Sequence, residues 1–171
     1  MTIYFKQWLS PVGEIFLYAD DDHLLALTYA DNHKKTVKRL QLNDAVKKPS
    51  PVIQNTVDQL KEYFAGQRRD FDVPVKLCGT EFQKQAWQEL RHIPFGQTVS
   101  YAQQAQKLRR PKAVRAVGTA NGNNPISIIL PCHRVIGTNG SMTGYAGRVE
   151  VKETLLTLEQ SIEKKPNPGK V

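Results

Sequence analysis

Two four-residue signatures constrain the second half of this 171-residue chain. Thr80-Glu81-Phe82-Gln83 and Ser100-Tyr101-Ala102-Gln103 each place a hydroxyl residue three positions before a glutamine. In such a capping box the hydroxyl accepts from the third residue's amide, and the glutamine reaches back to the first amide. Each box therefore marks where a helix begins. The first helix is expected to bury Phe82, Ala86 and Leu90 and to end before Pro94. The second is short, with Ala102, Ala105 and Leu108 on one side. Pro111 suits the first position of a third helix, about 111–121, that stops at Gly122. Two short helices joined by a tight turn outline a helix-turn-helix.

The first half reads differently. Residues 14–19 and 24–29 pattern as strands, and Asp20-Asp21-Asp22-His23 between them is turn chemistry, so a hairpin is expected. The Lys-rich stretch 31–50 reads as loop with some helix. Ile53, Val57, Leu60 and Phe64 share one helical face, with Pro51 near its start and Gly66 beyond its end. Residues 67–79 look extended, contain Pro74 and make the best domain boundary. A last helix, about 149–160, puts Val151, Leu155, Leu158 and Ile162 on its apolar face, and Glu159 at the rim of that face. The Pro- and Lys-rich end reads as a disordered tail.

Charge is distributed unevenly. The formal net charge is +8, and no Asp or Glu occurs from Arg91 to Val149. That stretch holds eight bases: Arg91, Lys107, Arg109, Arg110, Lys112, Arg115, Arg134 and Arg148. The remainder has as many acids as bases, so the whole excess lies here and points to a polyanion, nucleic acid above all. On the third helix, Ala113, Ala116, Gly118 and Ala120 allow close approach either to a neighbouring helix or to a DNA groove, and Arg115 projects from among them. No apolar run is long enough for a membrane span, and no signal-peptide block opens the chain. A cytosolic protein is the default. Cys78 and Cys132 make no disulfide framework, and four scattered histidines make no structural zinc site.

Cys132 follows an apolar run, Ile126 to Leu130, and Pro131, and it directly precedes His133. A core thiol, a metal ligand and a nucleophile all fit that setting. A thiol has pKa ~8.5 and needs a base to become a useful nucleophile, and the base needs an orienting carboxylate. His133 and Glu159 have the required chemistry. Adjacent residues on an extended chain point in opposite directions, so a bridging water is the simplest link from thiol to imidazole.

The segment NPISIILPCHRVIG, followed by GYAG and KETLLTLE, resembles the O6-alkylguanine-DNA alkyltransferases, also called methylated-DNA–protein-cysteine methyltransferases. QLKEYFAGQRRDF, GTEFQKQAWQELRHIPFGQTVSYA and RPKAVRAVGTANGNNP are similar to the same family. The resemblance implies an α+β fold. Residues 1–76 would form a ribonuclease-H-like antiparallel sheet with helix, and 77–161 a mostly helical, winged-helix-like domain containing the helix-turn-helix and the alkyl acceptor. A tail, 162–171, would follow. It implies that Cys132 takes the alkyl group irreversibly and stoichiometrically, that His133 removes the thiol proton through a water, and that Glu159 holds His133. Asn124 would brace the turn at the site. Tyr101 would crowd the phosphate and donate to the extruded base. Val135, Tyr145, Ala146 and Gly147 would line the guanine pocket. Arg115 would fill the stack where the base leaves, with Arg109, Lys112, Ala116 and Gly118 on the same DNA face. The implied partner is double-stranded DNA carrying O6-alkylguanine or O4-alkylthymine, with no cofactor, metal, membrane or obligate protein partner.

Three positions depart from the family's usual pattern: Gln104 replaces an aliphatic residue, Arg109 a turn glycine, and Arg148 a second glycine after Gly147. Three rival readings are a binder of alkylated DNA that performs no repair, a helix-turn-helix regulator and a cysteine hydrolase. The first lacks the cysteine in its family relatives. The second lacks any extra DNA-binding module or metal-thiolate cluster in the sequence. The third would release more than one product per protein.

Overall fold

The structure is a computed structural model; it describes residues 1–142, 145 and 147–164. Three antiparallel strands, β1 (Tyr4–Ser10), β2 (Gly13–Ala19) and β3 (Leu24–Tyr29), form a sheet in that spatial order. β1 was not legible in the sequence. Its residues alternate weakly, and its inward side chains are only partly buried. Between β2 and β3 the Asp20 carboxylate accepts the amides of Asp22 and His23 at 2.9 and 2.7 Å, which closes the expected hairpin.

Helices cover both faces of the sheet. α2 (Pro51–Phe64) lays Ile53, Val57, Leu60 and Tyr63 on the face that presents Ile15 and Leu17. α1 (His33–Leu40) covers the other face, where Phe16 stacks on His33 with ring centroids 3.9 Å apart. β3 exposes one edge of the sheet, and an uncovered edge invites pairing. Here that edge is occupied. Leu24 donates to Pro74 at 2.8 Å and accepts from Lys76 at 3.1 Å. Leu27 donates to Pro125 at 2.9 Å and accepts from Ser127 at 3.0 Å. The segment carrying the Pro-Cys-His run is thus pinned to the N-terminal sheet.

The C-terminal domain contains α3 (Glu81–Leu90), α4 (Tyr101–Lys107), α5 (Val114–Gly122) and α6 (Val149–Glu163). Two-residue strands β4 (Val99–Ser100) and β5 (Val135–Ile136) pair in parallel. Both capping boxes are present with both of their hydrogen bonds.

Several details correct the sequence reading. Phe82 is only partly buried, with the Arg110 guanidinium 5.7 Å above its ring; Trp87 fills the core instead and donates to the Ala120 carbonyl at 2.8 Å. The third helix starts at Val114 rather than 111. Arg109 sits at φ 60, so the chain reverses there and Pro111 falls within the turn that precedes the helix. The last helix runs to Glu163, past its expected end near 160, because Ile162 still has a core to enter. Gln104 is buried yet satisfied: it exchanges amide hydrogen bonds with Asn121 at 3.1 and 2.7 Å, linking α4 to α5. Among the described residues no helix is long and apolar enough to cross a membrane.

Candidate active site

The run from Asn124 to Arg134 is buried, but it is not a strand. Ile129 donates back to the Ser127 carbonyl at 2.8 Å with Ile128 at φ 71, a three-residue turn that β-branched residues rarely adopt. Pro131, at φ −80 and ψ 65, closes an inverse γ-turn in which Cys132 donates to Leu130 at 2.8 Å. Cys132–Arg134 then forms a single 3-10 turn. The side chains of Cys132 and His133 therefore diverge from a tight turn, not from the extended chain expected. Such strain persists only where the surroundings over-determine it. Here the restraint comes from Asn124, whose amide donates to Leu130 O at 2.8 Å and whose Oδ1 accepts from the Ile126 amide at 3.0 Å.

Cys132 is 1% exposed, and the Asn124 amide also points at its sulfur, 3.1 Å away. His133 and Glu159 are both fully buried, so Glu159 is not the rim residue its helical spacing suggested. Helix α6 delivers Glu159 to the 3-10 turn. Its Oε2 lies 2.6 Å from His133 Nε2 and accepts from the Tyr63 hydroxyl at 2.6 Å and from Arg134 Nη2 at 3.1 Å. Its Oε1 accepts from Arg134 Nε at 2.8 Å. Burial alone would raise the carboxyl pKa, but His133 and Arg134 overcome it and hold Glu159 well below the usual carboxylate range. An ionised carboxylate can only accept. His133 must therefore carry its proton on Nε2, which leaves Nδ1 as the lone pair. That atom is buried with no hydrogen-bond partner among the described residues. Burial also lowers the His133 pKa against the pull of Glu159, so the ring is neutral near pH 7 and its open nitrogen can accept a proton.

Around the thiol stand groups able to meet charge. Burial lowers Lys152 to about 8; its ammonium donates to the Val135 carbonyl at 2.6 Å and approaches the Tyr101 hydroxyl at 3.4 Å. Burial, and then Cys132, push Tyr101 up to about 12, so it stays a protonated donor. Val135 is buried, and Tyr145 packs against the same core as Cys132. Gly147 lies beside the Tyr29 ring. Ala146 lies outside the described residues.

The remaining expected residues form a separate, outer face. Arg109, Lys112, Arg115 and Ala116 are exposed on or just before α5, while Val117, Ala120 and Asn121 of the same helix face inward. The small residues thus serve both sides. Gly118 links the two regions, since a Cβ there would stand 3.8 Å from the Tyr101 ring. Arg134 does not belong to this basic face, because it is 6% exposed and paired with Glu159. Arg148 is exposed and paired with Asp31 at 2.9 Å.

Three groups at the site escaped the sequence reading: Tyr63, Arg134 and Lys152. Signals for two of them existed. Lys152 precedes Glu159 by two helical turns and so shares its face. Arg134 is a lone base inside an apolar run, where an unpaired charge would be costly. Tyr63 carried no comparable mark.

Both halves of the chain match known proteins. Residues 3–77 match the family model described as 6-O-methylguanine DNA methyltransferase, ribonuclease-like domain, and residues 81–161 match its DNA binding domain. The methylated-DNA–protein-cysteine methyltransferase of Methanosarcina acetivorans is 44% identical over 93% of this chain and 99% of its own length. The constitutive enzyme of Bacillus subtilis is 40% identical over 92% and 95%. The crystal structure of Mycobacterium tuberculosis OGT in complex with DNA superposes with a TM-score of 0.84 at 40% identity, covering 93% of this chain and 94% of that one. The chain belongs to the 6-O-methylguanine DNA methyltransferase family.

Proposed function

We propose that this protein repairs DNA by direct reversal: it moves the alkyl group of an alkylated base, O6-alkylguanine foremost and O4-alkylthymine with it, onto Cys132. The observation that carries this reading is the buried Cys132 thiol, with the Asn124 amide 3.1 Å from its sulfur, beside a neutral His133 locked by Glu159 at 2.6 Å. His133 Nδ1 accepts the thiol proton through a bridging water. The sulfur attacks the alkyl carbon, an S–C bond forms, and the C–O6 bond breaks. The Tyr101 hydroxyl donates a hydrogen bond to the departing oxygen as charge develops there, and the proton held on His133 passes through water to the base, so guanine leaves neutral and Tyr101 keeps its proton. The product thioether has no facile hydrolysis, so each molecule acts once, and none of these steps calls on a cofactor or metal.

The substrate base must leave the duplex to reach a buried thiol, which costs a few kcal/mol and less for a base already weakly paired. Arg115 fills the vacated stack, and Arg109 and Lys112 hold phosphates while Ala116 and Gly118 keep the helix slim. Val135, Tyr145 and Gly147 line the base pocket. The two functions divide near residue 77, and Cys78 and Cys132, which form no disulfide among the described residues, suit the reducing cytosol. Incubation with DNA methyl-labelled at O6 should place one label on Cys132 and none on Cys78. Label on Cys78, or more than one methyl removed per protein, would refute the assignment.

A further inference from the structure

β3 ends at Tyr29, and the residues there meet the pocket segment at three points. The hydroxyls of Tyr29 and Tyr145 lie 2.6 Å apart, across 116 positions of chain. Gly147 stands so close to the Tyr29 ring that a Cβ would come within 2.6 Å of it. Asp31 accepts from Arg148 Nε at 2.9 Å. Tyr29 is buried in the same core as Cys132, and Tyr145 packs against that core. The N-terminal domain therefore makes contact with every described residue from 145 to 148.

We infer that Tyr29, with a lesser contribution from Asp31, is a positioning residue for alkyl transfer: its phenol and ring set where Tyr145 and Gly147 stand relative to Cys132. This deepens the proposed function and rests on Cys132 being the acceptor. The two contacts differ in weight. Arg148 and Asp31 are 71% and 43% exposed, and screened pairs of that kind contribute little. The phenol pair is largely shielded. Burial raises the pKa of both rings, so both remain neutral and one always has a proton for the other. Deleting one hydroxyl leaves its partner unsatisfied, whereas deleting both does not. A guanine bound near Cys132 needs the Tyr145 wall in place before sulfur and alkyl carbon can align, and small misplacements are costly to rate.

The test is single-turnover transfer to the full-length protein from free O6-benzylguanine and from methylated duplex, beside the rate at which iodoacetamide alkylates Cys132 and the thermal midpoint. Tyr29→Phe should slow transfer about fivefold on both substrates, the loss expected when one hydrogen bond stops holding a reacting geometry. Tyr145→Phe should show the same factor, the double variant should be no slower than either, and Asp31→Asn should change the rate less than about twofold. Iodoacetamide, which needs no base pocket, should react at the wild-type rate in all four. Wild-type transfer by Tyr29→Phe, or a matching loss with iodoacetamide, would overturn the positioning role. Failure of the wild-type protein itself to methylate Cys132 would instead remove the reading beneath it.

Discussion

Glu159 illustrates how one residue can gather a site. Its two oxygens accept hydrogen bonds from His133, Tyr63 and Arg134. Replacing it by Gln leaves Arg134 buried without its counter-charge, a loss on the order of 3–5 kcal/mol of stability for a broken buried pair. Glu159→Gln should also slow transfer about a hundredfold, since the His133 bond loses its charged acceptor. If His133 and Glu159 act as one unit, adding His133→Ala should make Glu159→Gln little worse. Tyr63→Phe removes a single donor and no charge. It should keep the fold, as followed by circular dichroism, and lower the transfer rate by about tenfold. Unchanged rates in Tyr63→Phe would show that the carboxylate holds His133 without it.

The pair α4 and α5 shows where local rules bend. Arg109, at φ 60, occupies a backbone conformation that glycine adopts without strain, and it follows a helix only seven residues long. Gln104, in place of an aliphatic residue, spends its polarity on Asn121 and so disturbs no packing. Arg115 lies on the outer side of α5, opposite Val117 and Ala120. A phosphate contact and a stack-filling wedge predict different losses there. A lost phosphate contact weakens binding to all DNA and reduces the salt slope by about one. A lost wedge penalises extrusion. Arg115→Ala should therefore slow repair of duplex DNA far more than transfer from free O6-benzylguanine, which needs no flipping. Lys112→Ala should change mainly DNA affinity and its salt dependence. Equal rate losses for Arg115→Ala on the two substrates would assign it to the fold or the chemistry.

For the molecule as a whole, the buried charges set how stability follows pH. His133 has its folded pKa lowered by burial, so below about pH 6.5 the unfolded chain takes up a proton that the native state refuses. Glu159 is held well below its usual range, so its contribution is present above about pH 4.3 and is lost as pH falls further. Both effects have the same sign. Denaturant midpoints should fall steadily from pH 7 to pH 4, and the acid limb of the transfer rate should lie below the ordinary imidazole value. A midpoint that rises between pH 7 and pH 5 would contradict the assignment of a neutral His133. The sequence by itself determined what depends on neighbours along the chain: both capping boxes, the hairpin at Asp20, the amphipathic face of α2, the acid-free stretch, and the Pro-Cys-His run that carries the family resemblance. Those features are short-range, because a cap or a helical stripe is satisfied within a few residues. Only the tertiary structure decided the rest. Glu159 could be rim or core until Tyr63 from α2 and His133 and Arg134 from the 3-10 turn converged on it. Arg134 looked like part of a basic surface until a buried carboxylate claimed it. The apolar run before Cys132 could not be told from a strand until β3 took its backbone hydrogen bonds at Leu27 and Asn124 held the turns. In each case the deciding energy is that of burying a charge or a peptide group, and the partner that makes such burial tolerable is distant in sequence.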